Sequence, residues 1–418
     1  MKKCFIIFVC VFVLILGLTA GDKKIVKSKH PVVVKKCTIM CKHQPIVEKL
    51  ITILETRPNL KEALLVSLKK ANRLEVPTLD EYYKYLDYLV TLIPTDRNLY
   101  YNIVLFYYLI DHPINGLLQK DDLFVQWTVE FANSWGSFLD TPASVSGIQT
   151  FLDDPDFHMG DYIEGPSGWQ TFNQFFAREI RPGKRPIHCL CDDRVIVAPA
   201  DTAFVGCWEI TQNSTIIVPG KNDKPYSIIK LLDGSCYADR FKGGKFFHAF
   251  LNVNDYHRYH VPVSGTVLEA REISGKVFLA TVRLPDGSLH ALDDTGYQFT
   301  QARGLVILDS PIGLVAVLPI GMAQVSSCNI SVEVGDYLQK GDLFGYFTFG
   351  GSDIIVMFEE KCNANICMIP NMHYKQGRVI GYSGLPCPDG RPSCPGTSKK
   401  QPCPSEQDTD ILPCPKKK

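Results

Sequence analysis

Apolar residues recur at mixed three- and four-residue spacing near the start of the chain: Ile46, Val47, Leu50, Ile51, Ile53 and Leu54, then Leu60, Ala63, Leu64, Leu65 and Leu68. That is the period of an amphipathic helix. Pro58-Asn59 falls between the two groups and predicts a break into two helices, because proline disrupts a helix interior. Thr78-Leu79-Asp80-Glu81 has the form of a capping box opening a third helix, and helical patterning continues through 98–110 and 121–138. Residues 45–160 therefore read as an all-α domain. Its many tyrosines, among them Tyr82, Tyr83, Tyr85, Tyr107 and Tyr108, are expected in the core rather than around a ligand.

From about residue 194 the pattern changes to short β-rich runs separated by Gly, Pro, Asn and Asp. They fall at 195–197, 203–210, 215–218, 245–253, 265–273, 277–283, 299–308, 314–320, 329–334, 343–349 and 354–358. Many short strands at this spacing predict a sandwich or barrel. The fold class is thus α+β, an N-terminal all-α domain followed by a β-rich sandwich- or barrel-like catalytic domain spanning 168–369. Residues 370–418 carry Cys-Pro at Cys387, Cys394, Cys403 and Cys414 and read as a Cys/Pro-rich tail without a packed core.

Composition adds compartment more than chemistry. The 418 residues are 45% hydrophobic, as in a globular protein, and Lys plus Arg equals Asp plus Glu at 44 each. No strong overall field draws nucleic acid or an anionic membrane, so no nucleic-acid partner is expected. Lys2 and Lys3 precede an apolar stretch from Cys4 to Leu18, which reads as a signal peptide over 1–21 followed by an exposed leader over 22–44. A secreted or lumenal protein is expected, with an uncleaved signal anchor as the alternative. Fifteen cysteines suit that compartment. The local pairs Cys37/Cys41, Cys189/Cys191 and Cys362/Cys367 lack paired zinc-site spacing and read as disulfides or buried thiols.

Three strings in the β-rich region carry candidate chemistry. The first runs from Phe172 to Ile187, FNQFFAREIRPGKRPI, and leads to Ala198-Pro199-Ala200-Asp201. The second, Asp255-Tyr256-His257-Arg258-Tyr259-His260-Val261-Pro262-Val263, holds two histidines three residues apart. The third is Gly350-Gly351-Ser352, which alone is an ordinary turn signal. Each has a plainer reading: Asp201 as a turn residue, Arg178 to Arg185 as a solvated connector with an anion clamp as the less favoured use, and the histidines as a metal pair with His248. No metal site is expected, since no third ligand is evident beyond His248.

In this order the strings resemble the phosphatidylserine decarboxylase family of self-processing pyruvoyl enzymes, over roughly 168–360. The helical segment resembles the domain that precedes the catalytic unit in a soluble branch of that family. The resemblance implies cleavage between Gly351 and Ser352, with Ser352 becoming a pyruvoyl cofactor and the two cleaved chains staying associated. It further implies that Asp201 orients His260, that His260 activates Ser352, and that His257 supplies the proton after carbon dioxide leaves. The substrate would be an amine-bearing carboxylate: phosphatidylserine by default, met through a peripheral membrane contact, or a free amino acid, an aromatic one included. A non-catalytic secreted scaffold on the same fold is the other reading. Thr202 and Asp353 depart from the family's usual residues, and Asp353 raises doubt about processing because it follows the serine directly.

Overall fold

The computed structural model describes residues 43–112, 116–218, 224–291, 296–322, 327–349 and 352–384. The signal, nearly all of the leader and the Cys-Pro repeats lie outside the described residues.

The helical prediction holds closely. Helices α1 (Pro45–Thr56), α2 (Pro58–Ala71), α3 (Leu79–Leu89), α4 (Leu99–Ile110) and α5 (Asp122–Leu139) follow in order. Pro58 opens α2, where its missing N–H is harmless. Thr78 caps α3 by accepting from the Glu81 amide. The buried indoles are satisfied by main-chain carbonyls, Trp127 donating to Ile46 (2.9 Å) and Trp135 to Leu92 (3.0 Å). Tyr82, Tyr85 and Tyr107 are buried as expected.

The β-rich part is organised by one eight-stranded antiparallel sheet. Its strands are β1 (Thr202–Glu209), β2 (Lys245–Leu251), β4 (Gly265–Ile273), β5 (Arg303–Ser310), β6 (Gly313–Gly321), β7 (Tyr337–Leu338), β9 (Ser352–Phe358) and β10 (His373–Tyr374), in the spatial order β7-β4-β5-β6-β9-β2-β1-β10. A smaller sheet joins β3 (Arg258–His260) to β8 (Leu343–Phe347) and Cys328–Ile330, and another joins β11 (Val379–Ser383) to Val195–Val197 and Ala364–Ile366. The large sheet is open, so among the described residues the barrel alternative is not realised.

Both faces of the large sheet are covered. Side chains of Phe247, Ala249, Val306, Leu308, Val315, Val317, Ile354 and Val356 share one continuous core with the helices. Their neighbours Phe246, Leu305, Ile307, Ala316, Leu318, Ile355 and Met357 pack on the other side against Ile228, Leu231 and Phe241. Strands buried on both faces read as nearly continuous apolar runs.

One expectation needs correction. The tail was expected from 370, yet His373–Tyr374 pairs with β1 and Val379–Ser383 pairs with Val195–Val197. The run Val379-Ile380-Gly381-Tyr382 is a strand sequence that the Cys-Pro composition beyond it obscured. Of the two readings offered for Cys362, the buried thiol is the one observed: its Sγ lies 3.5 Å from the Leu314 carbonyl oxygen, and Cys328 is another buried thiol.

Phe106 is fully buried and stacks on Phe131 at 5.2 Å. Phe106→Ala is expected to destabilise the protein by about 3–5 kcal/mol, read as a lowered urea midpoint. A loss below about 1 kcal/mol would show that the helices do not share a tight core.

Candidate active site

The site is assembled by the two strands flanking residues 350–351. Ahead of them, β8 runs beside β3, with Leu343 opposite His260, Gly345 opposite Tyr259 and Tyr346 opposite Arg258. One step further the Phe347 amide donates to the His257 carbonyl at 2.9 Å. Glycine is required at 345, because a Cβ there would stand 2.1 Å from the Asn329 carbonyl oxygen and 2.3 Å from the Tyr259 ring. After the pair, β9 inserts between β2 and β6, with Ser352 opposite both Leu251 and Gly321. Gly351 lies outside the described residues, and Ser352 is described by its backbone alone.

Leu251 ends β2, and the chain turns directly into the loop bearing the histidines. Asp255 shapes that turn by accepting from the Asn252 amide at 2.7 Å. His257 Nε2 lies 2.9 Å from the Asn252 carbonyl oxygen. The register therefore sets residue 352 beside the segment that holds the His257 ring. A carbonyl only accepts, so Nε2 carries the proton and Nδ1 is the basic nitrogen. Nδ1 is buried with no partner among the described residues. The ring lies 3.9 Å from that of Phe176, which also packs against Phe349 at 5.7 Å. Burial pushes the His257 pKa well below its ordinary value, and the Arg178 cation pushes it further.

Phe349 is the last described residue before the glycines, and it is firmly held. Its amide donates to Asn173 Oδ1 at 3.1 Å, and its ring packs on Trp135 and Phe172. Trp135 belongs to α5, so the helical part forms one wall of the site. Asn173 and the three phenylalanines Phe172, Phe175 and Phe176 sit on one short helix (Phe172–Phe176).

His260 departs from the expected arrangement. Its Nδ1 faces the Gly341 carbonyl at 2.8 Å, so Nδ1 carries the proton, and Nε2 accepts from Tyr256 Oη at 3.2 Å. Asp201 is not its hydrogen-bond partner among the described residues. The Asp201 carboxylate is taken by Arg185 (Nε at 2.8 and 3.0 Å, Nη2 at 2.5 Å) and by the Gln376 amide at 2.7 Å. Asp201 acts on His260 through charge: burial pulls the imidazole pKa down to about 4, while the Gly341 hydrogen bond and the Asp201 charge oppose that fall.

The arginine-rich string is thus no solvated connector. Arg185 is the buried clamp on Asp201 and also reaches Asp161 at 3.1 Å. Arg178, only 1% exposed, donates to the carbonyls of Asn254 and Asp255 and lies 4.3 Å from the Tyr162 ring centre. It braces the histidine loop from below. The sequence signal for both was the FFxRxIRPGxRP string, whose arginines were noticed while their partners were not.

Residues beyond 352 contribute as well. His373 on β10 approaches Asp255 at 2.7 Å. Burial works against its protonation, and the hydrogen bond and charge of Asp255 outweigh burial and raise its pKa. With Gln376 on Asp201, segments on both sides of residue 351 close around the loop.

Comparisons with known proteins fall on the same region. The sequence model of the phosphatidylserine decarboxylase family matches residues 172–382. Phosphatidylserine decarboxylase proenzyme 2 of Oryza sativa subsp. japonica is 32% identical over 229 residues, covering 54% of this chain and 35% of the rice protein. The phosphatidylserine decarboxylase proenzyme of Clostridium perfringens is 27% identical over 270 residues, covering 62% of this chain and 87% of its own length. Decarboxylase iboD of Amanita muscaria is 29% identical over 209 residues, covering 46% of this chain and 59% of that protein. The chain thus spans about a third of the rice relative's length. The matched block takes in Asn173, Phe176, Arg178, Arg185, Asp201, His257, His260 and Ser352, and the chain belongs to the phosphatidylserine decarboxylase family.

Proposed function

We propose that the protein is a self-cleaving, pyruvoyl-dependent decarboxylase that converts phosphatidylserine to phosphatidylethanolamine and carbon dioxide. The observation that carries this reading is the register of β9, which pairs residue 352 with Leu251, next to the Asn252 carbonyl that fixes the His257 ring. Cleavage through a serine acyl shift would end the first chain in the Gly351 carboxylate and release the nitrogen of residue 352 as ammonia. His260 Nε2 is the base suited to take the Ser352 hydroxyl proton. It is neutral at neutral pH, and to take that proton Nε2 exchanges the hydrogen bond it accepts from Tyr256 Oη for one from the serine, while the charge of Asp201 offsets the burial of the imidazolium that forms.

A pyruvoyl group at residue 352 supplies an electrophilic ketone that engages the substrate amine and accepts electrons as carbon dioxide leaves. The residues nearby fit that group, because His257 Nδ1 is a buried basic nitrogen with no partner among the described residues. A substrate ammonium has to lose a proton before its nitrogen can react. His257 Nδ1 can take that proton and return it to the carbon that has lost carbon dioxide. This refines the sequence expectation, since His257 in its resting state is a base first and an acid only afterwards. Phe176 and Phe349 exclude water from the same space.

The lipid substrate is supported by exposed apolar side chains on the segment leading past His260: Val334, Tyr337 and Leu343, the last directly opposite His260. They give the peripheral membrane contact a physical basis. Passage through the secretory pathway is proposed from the N-terminal sequence alone.

Carbon dioxide release from phosphatidylserine vesicles is expected for the wild type and absent for Ser352→Ala. Release from a panel of free amino acids and none from vesicles would reject the lipid substrate. His257→Ala is expected to retain self-cleavage and lose about 10²–10⁴-fold in kcat, whereas His260→Ala should block cleavage. Because the His257 pKa is depressed, its neutral form persists as pH falls. The acid limb of kcat/KM should therefore have its midpoint below the ordinary imidazole value of 6.5, and a midpoint above it would contradict the assignment.

A further inference from the structure

Asp353 follows the proposed cleavage serine, and its side chain lies on the sheet face opposite Phe176 and Phe349. Alternation along β9 puts it with Ile355 and Met357, in a layer of apolar side chains. Its exposure is 0%. A carboxylate in such a layer is unfavourable unless donors satisfy it, and an apolar residue would ordinarily be the more stable choice.

The donors are specific. Tyr297 Oη donates to Asp353 Oδ2, Gln298 Nε2 approaches the same oxygen at 3.3 Å, and His248 Nε2 stands 3.2 Å away. Oδ1 is buried with no partner among the described residues. Both donors and His248 precede residue 351: His248 lies on β2, and Tyr297 and Gln298 on the single turn Tyr297–Phe299. In a chain cut between 351 and 352, these contacts would join one fragment to the other.

Such a cut would make residue 352 a chain end, and chain ends loosen unless tied down. It would also sever residue 352 from Phe349 and its anchor on Asn173. What remains is the backbone pairing of residue 352 with Leu251 and Gly321, and the clamp on Asp353 one residue inward. We propose that Asp353 is a positioning residue that holds the new terminus in register, so that the group at residue 352 stays beside Leu251-Asn252 and the His257 ring. This rests on the cleavage reading above. Asp353 is then no obstacle to processing: it points away from the reacting side and acts through the strand.

The test uses the full-length protein with Asp353→Leu, Asp353→Asn and Tyr297→Phe, reading cleavage by intact mass, amide exchange by peptide, and turnover on phosphatidylserine vesicles. In cleaved Asp353→Leu, exchange at 352–355 should speed at least about tenfold while 305–308 and 315–318 stay unchanged. Its kcat should fall at least about tenfold with KM within about twofold. Asp353→Asn, which keeps an acceptor for Tyr297, should recover to within about threefold of the wild-type kcat. Tyr297→Phe removes a single donor and should loosen 352–355 alone, which keeps the test decisive if the leucine variant does not fold. Wild-type exchange and kcat in the cleaved variants, or loosening spread evenly over the sheet, would overturn the positioning role. An uncut wild-type chain would instead overturn the cleavage reading itself.

Discussion

The site depends on one strand being held between two others in a sheet with no solvent-facing side. Because β9 is paired to β2 and β6 over its whole length and covered on both faces, its backbone groups have no water to fall back on and its register cannot drift. A slip of one residue would move Asp353 into the aromatic layer and Ile354 onto Tyr297 and His248. That rigidity lets a backbone pairing, residue 352 with Leu251, fix the distance between a chain position and a histidine loop.

Burial then sets the chemistry. Taking His257 and His260 out of water lowers both pKa values, and the direction suits a base more than an acid. The charges that would otherwise unsettle this interior are themselves tied. Arg178 is braced on main-chain carbonyls, and Arg185 is locked to Asp201, where burial lowers its pKa and the Asp201 carboxylate more than restores it. Asp201 and Asp255 are further engaged by Gln376 and His373 from beyond residue 352. Were the chain cut, its second piece would stay bound through three strands and the buried carboxylates of Asp201, Asp255 and Asp353.

Much of this was legible in the sequence for a physical reason. Strands buried on both faces announce themselves as apolar runs, so 314–320 and 354–358 fell close to their observed places, and Pro58 marked the break between two helices. The 277–283 run was less faithful: only Thr281–Arg283 is a strand, because the Gln301 side chain bonds the Phe278 backbone in place of a neighbouring strand. His257, His260 and Asp201 were named from motif order, but the partner this implied for Asp201 was His260, whereas Arg185 holds its carboxylate. A carboxylate's nearest cation depends on how distant segments fold, and Arg185 resembled any exposed basic residue. Asp353 neighbours Ser352 in sequence, yet adjacent residues of a strand point to opposite faces, so its place beside Tyr297 was not legible from the motif.

The most direct test of the account is the mass of the C-terminal piece of the purified full-length protein. A fragment beginning at residue 352 should be lighter than its serine-initiated counterpart by the mass of one ammonia, the signature of a terminal ketone. A fragment that still begins with serine, or a chain that remains whole, would contradict it.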